Sequence, residues 1–226
     1  AVVTAMRMLL IRLCVICALS GPVAAEAASM RGADDPSLDT SLALPPVIED
    51  WLPPSWWQPI DIVYGLLDDD SFEDMVVLLQ RPADAPEDPP WSRGTRALLV
   101  LFNDQQGGWR RGPLVPGLLP CADCSGRLTR TTESALYDIE IGADGVLEIG
   151  WIHRDASTKA VRLHIGWHEA EGRLGLLADD VTVINRHGVR YRVRRDYRAG
   201  TMSVDGRLQP MPPRFIPIED VSAASY

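Results

Sequence analysis

Hydrophobic positions along this chain fall into short runs separated by polar turns. Two runs, Ile60–Leu67 and Met75–Leu79, enclose a loop carrying Asp68, Asp69, Asp70, Glu73 and Asp74. Arg96–Asn103 forms a third run, and Trp109 opens a weaker one that Gly112-Pro113 and Pro116-Gly117 keep irregular. Unbroken apolar runs of this length predict strands covered on both faces, or a strand at the centre of the core. After residue 136 the pattern changes to alternation. Val161, Leu163, Ile165 and Trp167 alternate with Arg162, His164, Gly166 and His168, while Leu147, Ile149 and Trp151 share one parity. Antiparallel pairing of these two segments puts both apolar sets on the core face.

Turn chemistry divides the rest. Tyr137–Ile141 and Val146–His153 are predicted to form a hairpin across Asp144-Gly145, a favoured turn pair. Further strands are expected at Leu174–Asn185, Val189–Val193 and Thr201–Val204, between Glu171-Gly172, His187-Gly188 and Asp205-Gly206. No helical period stands out beyond residue 25. Strands with Gly or Asp turns every 8–12 residues predict an all-β fold: a single domain of antiparallel strands, as a sandwich, barrel or curled sheet.

The ends read differently. Arg7 and Arg12 precede a short apolar run, Leu13–Leu19, that Gly21-Pro22 breaks before small residues. This is the form of a signal peptide over residues 1–25, with translation expected from Met6 or Met8. The run is too short to span a bilayer. Residues 26–46 are expected as a flexible lead-in, 47–208 as the β-domain and 209–226 as a Pro-rich tail, either strap or disordered. Residues 45–59 hold five prolines with Trp51, Trp56 and Trp57, which predicts an extended strap whose tryptophans pack on the core.

Removing residues 1–25 deepens the net charge from −9 to −11. That balance argues against nucleic acid as a partner. No later segment is apolar enough to cross a membrane as a helix. Export places the protein in an oxidising compartment, periplasmic or secreted.

Four clusters are candidates for chemistry. The acidic loop offers the carboxylates of Asp68, Asp69, Asp70, Glu73 and Asp74 to a cation such as calcium, which takes several oxygen ligands in a tight turn, with a metal-free polar turn as the other reading. Cys121-Ala122-Asp123-Cys124 follows Pro120 and has no helix to lower a thiol pKa, so a local disulfide between Cys121 and Cys124 is expected over a redox pair. His153, His164, His168 and His187 are expected to be solvated; on a strand His164 and His168 lie about 13 Å apart, too far to share a metal. Arg190, Arg192, Arg194 and Arg195 predict one basic strand face, in solvent or paired with acids of residues 68–88. Nucleophile elbow, phosphate loop and H-E-x-x-H motifs are all missing.

The loop G-L-L-D-D-D-S-F-E-D-M-V-V-L-L resembles the G-D-x-N-x-D-G-x-x-D motif of integrin-type FG-GAP/VCBS calcium repeats. With Gly107-Gly108-Trp109, Leu119-Pro120-Cys121-Ala122-Asp123-Cys124-Ser125-Gly126 and Tyr197-Arg198-Ala199-Gly200-Thr201-Met202, the chain resembles bacterial exported VCBS-like proteins of unknown function over residues 60–205. The resemblance implies Asp68, Asp70 and Asp74 as ligands of a weakened site, since Leu66 and Ser71 replace the first acid and the turn glycine. The expectation is a non-catalytic, monomeric envelope binding module for a protein or glycan, without a cofactor unless calcium binds. The alternative is a periplasmic thiol–disulfide oxidoreductase using Cys121 and Cys124.

Overall fold

A computed structural model describes residues 48, 50–53, 56–82, 84–85, 94–104, 108–121, 137–154 and 157–226. They form two antiparallel sheets and no closed barrel. The first has four strands in sequence order: β1 (Gln58–Gly65), β2 (Asp74–Gln80), β3 (Arg96–Asn103) and β4 (Trp109–Pro116). The second is a seven-stranded meander: β5 (Tyr137–Ile141), β6 (Leu147–Arg154), β7 (Thr158–His168), β8 (Arg173–Ile184), β9 (Arg190–Asp196), β10 (Thr201–Val204) and β11 (Arg207–Pro210). Among the described residues no helix is long and apolar enough to cross a membrane.

The expected antiparallel pairing and core-facing parity of β6 and β7 hold. Leu147, Ile149 and Trp151 stand opposite Ile165, Leu163 and Val161, and all six are buried. They pack against Val76, Leu78, Leu98 and Val100 of the first sheet in one core. The opposite parity of β2 and β3 (Met75, Val77, Leu79, Ala97, Leu99, Leu101) is buried in a second cluster with Ile48 and Trp57. The two central strands, β2 and β3, are therefore covered on both faces, which is why they read as continuous apolar runs.

Two local expectations change. β4 is a full eight-residue edge strand rather than an irregular segment, because Gly112 and Pro113 fall at a register shift opposite Val100. An edge strand tolerates a proline, since one side of its backbone makes no ladder bonds. Of the tryptophans, Trp57 is buried and Trp51 packs on the second cluster, but Trp56 is 60 % exposed at φ 50°.

The C-terminal strap, residues 211–226, packs into the core through Ile218 and Val221. Leu176 N donates to Ile216 O at 2.9 Å, and Gly175 bridges Pro217, along an edge of β8 that β9 leaves free. Ala223 N donates to Gly117 O at 2.9 Å, so the same strap is also tied to the end of β4. The Phe215 ring sits beneath Arg173 and beside His168, 4.8 Å between ring centroids.

Candidate binding site

Successive residues of a strand face opposite sides of the sheet, so the meander that buries Leu163 also presents a polar outer face. One row across it reads Asp138, Gly150, Arg162, Asp180, Arg194, Ser203. The next reads Ile152, Ala160, Thr182, Arg192. The small side chains at Gly150, Ala160 and Thr182 leave a trough of about 570 Å³, with β9 as its arginine wall.

Most charges in the trough are already paired. Arg162 Nη1 lies 2.9 Å from Glu148 Oε2, and His164 Nδ1 lies 3.3 Å from Glu148 Oε1. Arg192 Nε stands 3.0 Å from each carboxylate oxygen of Asp180, on the diagonal across β8 and β9. Arg190 and Arg194 are exposed and have no ion-pair partner among the described residues. The basic run does not share one face as expected. Arg195 points to the opposite side by the two-residue alternation, and the acids that meet this run come from β8, not from residues 68–88.

On the inner side, Arg195 reaches Asp179, which is completely buried. Arg195 Nη1 donates to both of its oxygens at 3.2 and 3.0 Å. Tyr197 and Tyr226 donate their hydroxyls to Asp179 Oδ2 at 2.7 and 3.1 Å. Burial, followed by the Asp179 carboxylate, raises the pKa of both tyrosines above the usual range. Sequence reasoning missed this network. Its one signal was parity: Asp179 stands two residues from Val181, an acid on the apolar side of β8.

The acidic loop is organised by its own hydrogen bonds. Asp74, fully buried at the start of β2, accepts from Leu67 N at 2.8 Å through Oδ2 and from Asn103 N at 3.0 Å through Oδ1. Asp68 Oδ1 accepts from Asp70 N at 3.1 Å, and Asp70 Oδ1 from Phe72 N at 2.8 Å. Burial pushes the carboxyls of Asp68 and Asp74 up, partly offset by those backbone N–H groups. Among the described residues no group of three or more His, Cys, Asp or Glu is arranged to hold a metal ion.

Cys121 follows the end of β4 and, with Arg96, His153, Lys159 and Tyr226, lines a cavity of about 490 Å³. Cys124 lies outside the described residues. His168 is not the solvated histidine expected: its ring packs at a tilt against Phe215, and its buried Nδ1 has no hydrogen-bond partner among the described residues. Comparison with known families, with curated proteins and with solved structures finds no match to this chain.

Proposed function

We propose that this chain is a non-catalytic, exported binding module of the cell envelope, periplasmic or secreted and monomeric, whose binding surface is the outer face of the seven-stranded sheet. The trough on that face carries the reading. It is a concavity of about 570 Å³ formed by regular strands, and its polar groups form ion pairs rather than a nucleophile held by a base. Residues 1–25 serve as the export signal. Cys121 is disulfide-bonded, and the nearby Cys124 is the partner this reading assigns it.

The test uses the processed protein and isolated cell envelopes. Wild type is expected to be retained by them, and Ala160→Trp, which fills the trough from its floor, is expected to release it. Equal retention of both proteins overturns the reading. The oxidoreductase alternative draws on Cys121 lining a cavity beside Lys159 and His153. Insulin reduction that disappears in Cys121→Ala would establish it in place of the binding module.

A further inference from the structure

The trough has a property that its volume does not convey. Its central cations are neutralised within the sheet, Arg162 by Glu148 and Arg192 by Asp180. The surplus positive charge lies at Arg190 and Arg194, four residues apart on one face of β9. Four residues of strand span about 13 Å. The paired Arg192 lies midway between them, with Asp180 beside it.

An extended peptide has the same rise per residue as a strand. Laid parallel to β9, it presents side chains i and i+4 at the separation of Arg190 and Arg194, and side chain i+2 against the Arg192–Asp180 pair. A carboxylate at i+2 would face Asp180 and gain nothing. Resting on the reading of the trough as a binding surface, we propose that its ligand is an extended acidic peptide segment of a partner protein, with Asp or Glu at i and i+4 and an uncharged residue at i+2. The short side chain of Ala160 leaves room for its backbone, and Thr182, beside Arg192, supplies a hydroxyl. Densely charged polyanions fit poorly, because Asp138, Glu148 and Asp180 also line the trough.

The experiment is a ¹H–¹⁵N titration of the processed protein with three capped serine-rich peptides, carrying Asp at i and i+4, at i and i+3, or at i, i+2 and i+4. The first is expected to shift amides of β8 and β9. The second, whose acids fall on opposite sides of an extended chain, is expected to bind several-fold more weakly, and the third no better than the first. Arg190→Ala and Arg194→Ala should each weaken binding about two- to fivefold, the range for exposed ion pairs, and added salt should weaken it further. Both side chains are exposed, so an unchanged melting temperature should accompany the loss. Equal binding of the first two peptides overturns the spacing argument. An acidic oligosaccharide that shifts the same amides when no peptide does would overturn the peptide and leave the trough as the binding surface. No shift in β8 or β9 with any of these ligands, together with equal envelope retention of Ala160→Trp, overturns both.

Discussion

The Tyr226 hydroxyl lies 3.1 Å from Oδ2 of Asp179, so the C-terminal strap is fastened to a carboxylate buried in β8, 47 residues earlier. Tyr197 and Arg195 complete the shell around that carboxylate. Tyr226→Phe removes one donor to a charged acceptor and is expected to cost about 1.5 kcal/mol in urea unfolding. Asp179→Ala should cost about 3 kcal/mol. That is the low end for a broken buried pair, because a third of the Arg195 side chain remains exposed. An Asp179→Ala variant as stable as wild type would show that the strap does not depend on this carboxylate.

The same network sets an alkaline limit. Burial and the Asp179 charge hold Tyr197 and Tyr226 protonated, with pKa values above the usual 10.0. The folded state then keeps protons that the unfolded chain releases. The stabilisation is fully present below pH 10 and declines as pH rises above it. Tyr226→Phe should flatten that decline, measured by urea midpoints between pH 9 and 11. An unchanged slope would mean that Tyr226 titrates normally.

Asp74 joins the acidic loop to the far end of β3 through two backbone N–H groups. Asp74→Ala leaves both without their acceptor and should cost about 3 kcal/mol. Amide exchange should accelerate at Leu67 and Asn103 before other sites. With both Asp74 oxygens so engaged, millimolar calcium is expected to leave the melting temperature unchanged. A calcium-dependent rise that Asp70→Ala abolishes would instead make the loop a cation site.

Gly175 is where the strap touches β8 most closely. A Cβ there would fall 2.3 Å from Phe215 Cε2 and 2.9 Å from Ile216 O. The ring can turn, but the carbonyl belongs to the bond that accepts from Leu176 N. Gly175→Ala is expected to destabilise the domain by about 1–3 kcal/mol and to make the strap protease-sensitive after Arg214. A variant cleaved no faster than wild type would contradict this contact.

Much of the fold was legible because strand periodicity is local. The parity of Leu147, Ile149 and Trp151 and of Val161, Leu163 and Ile165 marked the core-facing side of β6 and β7, and the structure adds the register that pairs them. The runs through Met75–Leu79 and Arg96–Asn103 indicated a sheet covered on both faces. The site was less legible. Arg190, Arg192 and Arg194 stood out as a row, but nothing local said that Asp180 would take Arg192 and leave Arg190 and Arg194 without an ion-pair partner among the described residues. Asp179 and Tyr226 gave no joint signal, since no pattern connects residues so far apart.

By itself the sequence determined most of the strands, their turns and which parity of β6 and β7 is apolar, because a two-residue period and Gly/Asp turn preferences act over a few neighbouring residues. The β10–β11 hairpin and the full length of β4 were not legible in it. Only the tertiary structure decided how the sheets stack, that the tail closes over β8, and which arginines keep a free charge. Those outcomes depend on distances between segments that are remote in the chain, and Coulomb and hydrogen-bond energies are fixed by those distances rather than by residue order.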